Sequence, residues 1–203
     1  MSSEEHSDDQ SKDQTKDQRA RWDSKYEQGL PSLTEPDPFF ISAYKRFVTP
    51  SLPKPGVALD LAGGLGRHAL WLAHRSWQVT VVDVSDVAIG KLRQAALELN
   101  VNVDLFAGDA AKYKLEPSHF DLIVLFYHLD RGLFPNIVSA LKPGGLLICK
   151  MSLRWDSGEG LMTASPHPLH RNELPSLVPE LVVLHHEERP VRGRGVVEFV
   201  GRK

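Results

Sequence analysis

The 203-residue chain has one cysteine, Cys149, so no disulfide can form within it. It has no apolar run near the ~20 residues needed to cross a bilayer, and no internal repeat. It also lacks a surplus of positive charge, with 24 basic residues against 26 acidic ones. A protein that grips a polyanion usually carries a basic stripe, whereas the short basic pieces at 189–194 and 201–203 are diluted by acidic neighbours. Neither nucleic acid nor a membrane is therefore an expected partner. Residues 1–18 contain no large apolar side chain after Met1, which argues against a secretory signal and for a cytoplasmic protein. The same polarity predicts an unstructured tail, because such a segment buries too little surface to offset its ordering entropy. Residues 19–203 remain for one domain, a length suited to a single full core.

What is present reads as alternating strands and helices. Trp22 and Tyr26 are the first apolar anchors, and their spacing of four places both rings on one face of a short helix. Asp37 before Pro38 reads as a helix cap and first helical position. Phe39, Phe40, Ala43 and Phe47 supply that helix's buried face, and Pro50, Pro53 and Pro55 end it. Strands are expected at 57–61, 78–82, 101–106, 120–126 and 146–151, then near 181–186 and 196–200. Helices are expected near 67–75, 86–99, 133–141 and 172–177. The run 120–126 is almost continuously apolar, as in a central strand buried on both faces. The alternation predicts an α/β domain with a parallel sheet covered on both sides.

The stretch Asp60-Leu61-Ala62-Gly63-Gly64-Leu65-Gly66 carries the main functional signal. Glycines between a strand and a helix let the backbone pass close to a ligand, and the helix start offers free N–H groups to an anion. Gly64-x-Gly66-x-x-Ala69, with Asp83 19 residues beyond Gly64, also fits a dinucleotide fingerprint. Two features point elsewhere. Asp60, read as part of the turn, would repel a pyrophosphate but suits the ammonium group of an amino acid. Gly108-Asp109-Ala110 places a second acid after the third strand, where an adenine amino group can donate to it. Leu141-Lys142-Pro143-Gly144-Gly145-Leu146 marks a helix-to-strand turn.

With these motifs in order, the chain resembles the class I S-adenosylmethionine (SAM)-dependent methyltransferases from about Trp22 to Lys203. It looks most like their tellurite-resistance and thiopurine-type branch. The likeness rests on Trp22-Asp23-x-x-Tyr26, Leu59-Asp60-Leu61-Ala62-Gly63-Gly64-x-Gly66-Arg67 and Trp71-Leu72-Ala73. Val79–Ser85, Pro143-Gly144-Gly145, Glu173-Leu174 and the closing Val200–Lys203 continue it. The resemblance implies a Rossmann-like, doubly wound, seven-stranded sheet, mainly parallel with an antiparallel last strand. It also implies a cofactor, SAM, leaving as S-adenosylhomocysteine. Ala62, Gly63, Gly64 and Gly66 would line the methionine and ribose portion, and Asp83 would bind the ribose hydroxyls. Val84 would pack on adenine, Asp109 would accept from its amino group, and the Ala110 backbone would read the ring. Phe126 and Tyr127 would lie beneath the transferred methyl, with Tyr26 and Trp22 as a lid. Ala62 departs from the family, which commonly has glycine there.

Tyr127 and His128 are the candidate catalytic residues, His128 as a general base because imidazole titrates near neutrality. Each site residue also has a plainer reading: Asp83 as a helix cap, Asp109 as a turn residue, His128 as a partner of a backbone carbonyl. No metal is expected. Pro168 interrupts the His167/His170 pair, and His185 and His186 alternate faces of a strand. Cys149 reads as a packing residue and 189–194 as a solvated hairpin. The expected acceptor is a small molecule, a thiol or metalloid oxyanion among the candidates. The rivals are a nucleic-acid or protein methyltransferase, a nucleotide-dependent oxidoreductase, and a non-catalytic SAM-binding protein. No Asn/Asp-Pro-Pro-Tyr/Phe motif and no cysteine nucleophile follows the fourth strand, which disfavours N6-adenine and C5-cytosine methylation.

Overall fold

The computed structural model describes residues 3–29, 34–156, 161–162, 168–191 and 194–203. It opens with helix α1 (Ser3–Glu27), so helix stands where an unstructured tail was expected over residues 1–18. The segment has no Gly or Pro, and acid–base pairs four apart recur at Asp8/Lys12 and Asp17/Arg21. Such residues favour helix without an apolar stripe. Helix α2 (Pro38–Ala43) starts at Asp37, whose side chain accepts from the Phe39 N–H at 2.9 Å. It continues through a π-helical turn at Tyr44–Val48 into α3 (Thr49–Ser51).

The alternating part follows: β1 (Val57–Leu61), α4 (Arg67–Ala73), β2 (Gln78–Asp83), α5 (Asp86–Glu98) and β3 (Asp104–Ala107). Then come β4 (Phe120–Phe126), α6 (Leu133–Ala140), β5 (Leu141–Leu153) and a two-residue ladder of β6 (Trp155–Asp156) with β7 (Leu161–Met162). Helix α7 (Glu173–Leu177), β8 (Val182–Val191) and β9 (Arg194–Arg202) complete the chain. Seven strands form one sheet in the order β3-β2-β1-β4-β5-β9-β8. The pairs from β3 to β5 are parallel, and β9 runs antiparallel to both neighbours, so it alone is reversed. This is the expected Rossmann-like α/β class.

Two boundaries shift for physical reasons. β3 begins at Asp104 rather than Val101, because Asn100 turns left-handed (φ 51°) and the Val101 N–H closes α5 on the Ala96 carbonyl at 3.0 Å. β5 begins at Leu141 rather than Leu146, because Leu141 already pairs with Phe120 across a register shift.

The sheet is buried on both faces. Phe40, Leu72, Trp77, Ile89 and Leu92, from α2, α4, α5 and the turn into β2, cover Val79, Val81, Leu122 and Val124 on one side. Phe134, Ile137 and Leu174, from α6 and α7, cover Leu59, Leu61, Ile123 and Leu125 on the other. Strand side chains alternate faces, so β1 and β4 need apolar residues throughout. The exceptions are Asp121 near the start of β4, paired with Lys142 at 2.7 Å, and Asp60 in β1, paired by backbone with Val81 and Val124 and 1% exposed. Asp60 belongs to the strand itself, not to the turn. The carboxyl ends of β1, β2 and β4 open into one crevice, the usual ligand position in such sheets.

Candidate active site

One cleft gathers nearly all the residues expected at the site. Tyr26, Asp60, Ala62, Gly63, Gly64, Asp83, Val84, Asp109, Ala110, Phe126, Tyr127 and His128 all line it. Gly66 does not. It starts α4 at φ 71°, and a Cβ there would overlap the Leu92 side chain. Its absent side chain lets α4 and α5 meet, so its role is packing.

The turn after β1 is tightly wound. Gly63 sits against Asp60 and Val81, where an added Cβ would lie 2.9 Å from each. Gly64 has φ 57° and leaves room for the Tyr26 hydroxyl. Ala62 takes φ 54°, a left-handed conformation that costs an L-residue roughly 1–2 kcal/mol. The departure from glycine at this position is thus a strained one.

Asp60 is the unusual group. Its Oδ2 is buried with no hydrogen-bond partner, a state that is expensive for a carboxylate. Burial pushes its carboxyl up to about 7, while the Ala69 N–H and the Arg67 charge pull it back down. A cationic donor entering the cleft would satisfy it. Asp83 is better supplied: it accepts from the Gly64 N–H at 2.8 Å and the Ser85 N–H at 2.9 Å. It therefore ties the two turns together while still lining the cleft, and burial raises its carboxyl above the ordinary range. Asp109 accepts from the Ala111 N–H at 2.9 Å, as a turn residue does, and from the Thr15 hydroxyl at 2.9 Å.

Helix α1 covers this wall. Trp22 and Tyr26 stack at 5.8 Å and both line the cleft. Asp23 accepts from the Ser85 hydroxyl and the Val87 N–H, and Arg19 pairs with Asp86 at 2.8 Å.

At the end of β4, Phe126 is buried, and Tyr127 is half exposed with φ 58°. Its N–H is held by the Lys150 carbonyl at 2.8 Å. A bulky residue in this conformation is a marker of functional strain. Partial burial lifts its phenol above the ordinary value, so near neutrality Tyr127 donates rather than accepts a proton. Burial draws His128 below its ordinary value against the pull of Asp130, Asp83 and Asp109, leaving a neutral imidazole able to take one.

Several residues here were not among the expected site residues. Gln18, Arg67 and His68 line the cleft, and His68 is 3% exposed, between Phe126 and Phe40 at ring distances of 4.4 and 4.7 Å. Behind them, Lys150 bridges Asp37 at 3.1 Å and Glu198 at 2.9 Å. Arg189, expected in a solvated hairpin, instead pairs with Glu198 at 2.9 Å and Glu187 at 3.3 Å. Residues 192–193 of that hairpin lie outside the described residues. His185, Glu187 and Glu198 bring donor atoms within 4.8 Å of one another, but Lys150 and Arg189 already hold Glu198, which makes this an ion-pair ladder. His185 packs on Phe39 and His186 on Phe199, on opposite faces. His167 lies outside the described residues. Cys149 is fully buried and its thiol is pushed up by burial, as for a packing residue.

Residues 58–145 match the model of a methyltransferase domain family. That match spans under half of the chain, and with the fold it supports a class I SAM-dependent methyltransferase. Among curated members, it is 32% identical over 113 residues to the ubiquinone/menaquinone biosynthesis C-methyltransferase UbiE of Rubrivivax gelatinosus, covering 52% of this chain and 43% of that one. The matched region spans less than half the length of each curated relative. Among solved structures, TehB from Haemophilus influenzae superposes with a TM-score of 0.71 at 19% identity, over 88% of this chain and 66% of that one. The Burkholderia thailandensis 1,6-didemethyltoxoflavin-N1-methyltransferase, solved with its substrate and S-adenosylhomocysteine, gives 0.68 at 19% identity, over 91% and 86%. SAM is the cofactor of this class. The described residues fit it: an orphaned carboxylate for an ammonium, two further acids for hydroxyl and amino donors, and an aromatic floor.

Proposed function

We propose that this methyltransferase moves a methyl group from SAM to a small-molecule nucleophile seated at the Tyr127 end of the cleft. The observation that carries the reading is Asp60, a buried carboxylate whose Oδ2 has no hydrogen-bond partner, in a cleft that also holds Asp83 and Asp109. Three acids along one wall favour a ligand rich in cationic, hydroxyl and amino donors and repel a diphosphate. When bound, SAM supplies a methyl already activated on a sulfonium.

The chain's own work is then binding, alignment and exclusion of water. In this reading Asp60 takes the ammonium and Asp83 the ribose hydroxyls. Asp109 and the Ala110 backbone take adenine, Val84 packs on the ring, and Gly63 and Gly64 allow close approach. Phe126 forms the floor beneath the methyl, and Trp22 and Tyr26 the cover. Tyr127 orients the acceptor as a hydrogen-bond donor. His128 removes a proton where the acceptor carries one, and a thiolate or a metalloid oxyanion needs none. A net charge of −2 and the paired state of Lys150 and Arg189 support a small acceptor over a polyanion. TehB and the toxoflavin-precursor enzyme, two proteins of this fold, lend weight to the small-molecule branch.

The test is transfer of labelled methyl from SAM to a panel of thiols, metalloid oxyanions, small amines and RNA. Label in a thiol, oxyanion or amine is the expected result. Label in RNA alone overturns the small-molecule reading. Tight SAM binding with no transfer to any of them leaves a binding protein instead of an enzyme, and binding of NAD without SAM removes the cofactor assignment.

A further inference from the structure

We propose that His68 holds the carboxylate of the cofactor's amino-acid tail, forming with Asp60 a donor–acceptor bracket that recognises a zwitterion. This rests on the SAM reading above and names a residue that the sequence motifs did not single out.

The Asp37 backbone N–H donates to His68 Nε2 at 3.3 Å, so Nε2 is the acceptor and, in a neutral imidazole, Nδ1 bears the hydrogen. Burial, reinforced by the Arg67 and Lys150 charges, keeps the ring neutral. Asp37 itself cannot drift, because Lys150 Nζ contacts both its carboxylate oxygens at 3.1 and 3.3 Å and is in turn anchored by Glu198 at 2.9 Å. The ring is gripped between Phe126 and Phe40.

Nδ1–H therefore has a fixed direction, and among the described residues it has no hydrogen-bond acceptor. It lies 3.9 Å from Asp60 Oδ2, too far for a hydrogen bond. The gap is flanked on one side by an N–H and on the other by an orphaned carboxylate oxygen, and both residues line the cleft. An α-amino acid presents the matching pair on adjacent carbons, an ammonium for Asp60 and a carboxylate for His68. The adjacent Arg67, 3.8 Å from the Asp37 carboxylate, lines the same cleft and adds positive charge to it. A neutral donor here, rather than a second fixed cation, also avoids repelling the sulfonium.

Ligands that differ only in the tail test this. S-adenosylhomocysteine carries the amino acid, and 5′-methylthioadenosine keeps nucleoside and sulfur but lacks it. His68→Gln, which retains a group near Nε2 and loses the one at Nδ1, is expected to weaken S-adenosylhomocysteine by roughly tenfold to a hundredfold, the worth of a hydrogen bond to a charged group. Affinity for 5′-methylthioadenosine stays unchanged. His68→Asn, whose amide reaches the Nδ1 position, retains most of the affinity for both. Parallel losses of both ligands in His68→Gln, or no loss of either, overturn the proposal.

Wild-type protein gives a second reading that does not depend on the variants folding. With nitrogen-15 histidine, His68 is expected as the Nδ1–H form, and that proton shifts with S-adenosylhomocysteine but not with 5′-methylthioadenosine. An Nε2–H form, or equal shifts with both ligands, overturns it. Wild-type protein that binds neither ligand sinks the cofactor reading itself, and the bracket with it.

Discussion

Asp60 sets opposite demands on folding and on binding. Its carboxyl ionises near pH 7 in the fold against an ordinary 3.8. Between those values the folded state keeps a proton that the unfolded chain has lost. Stability from this group therefore falls as pH rises from about 4 to about 7, then levels off. Ligand binding has the reverse sign, because an ammonium needs the carboxylate: SAM affinity should climb toward pH 7 and be flat above it. Asp60→Asn is expected to remove both trends. In calorimetry its SAM affinity should drop by tenfold or more and lose its dependence on pH. In thermal melts at about pH 8 the variant should be more stable than wild type, by up to about 4 kcal/mol. A variant no more stable than wild type would mean that Oδ2 also has a partner in the free protein.

At the scale of elements, the α4–α5 contact hangs on a missing side chain. Gly66→Ala would put a methyl into Leu92 at a backbone angle that already disfavours alanine. The expected cost is about 2–4 kcal/mol in urea unfolding, while any folded fraction keeps near-normal cofactor affinity, since Gly66 does not line the cleft. Most elements were legible because apolar runs such as Leu122–Phe126 sit between Gly, Pro and Asn breakers. Helix α1 was not. Its helicity comes from side-chain propensity and charge spacing, while the expectation of disorder followed from its lack of apolar residues, a cue for packing rather than for local helix.

For the molecule as a whole, Lys150 is the node that binds the reversed strand to the rest. It joins β5 to Glu198 on β9 and to Asp37 at the start of α2. Lys150→Ala leaves two buried carboxylates short of a cation and should cost about 3–5 kcal/mol, measured by denaturant unfolding. A loss under about 1 kcal/mol would show that Arg189 and Arg67 take over. The cleft's acids were readable from sequence because each lies at or near the end of a strand. The cluster of Asp37, His68, Lys150 and Glu198 was not, since it forms only when residues up to 161 positions apart are folded together. No local spacing encodes that meeting. It depends on register, with Lys150 opposite Glu198 across β5 and β9.

The Thr15 hydroxyl on Asp109 gives the chain an occupant of its own for the seat proposed for adenine. Nucleoside entry then becomes an exchange of donors on one oxygen, and the measured dissociation constant includes the work of undocking the first helix. Thr15→Val should tighten SAM severalfold, whereas weaker binding would make the hydroxyl part of the loaded site. Cofactor demand in this protein would then be adjustable from α1, without altering a single residue of the glycine turn.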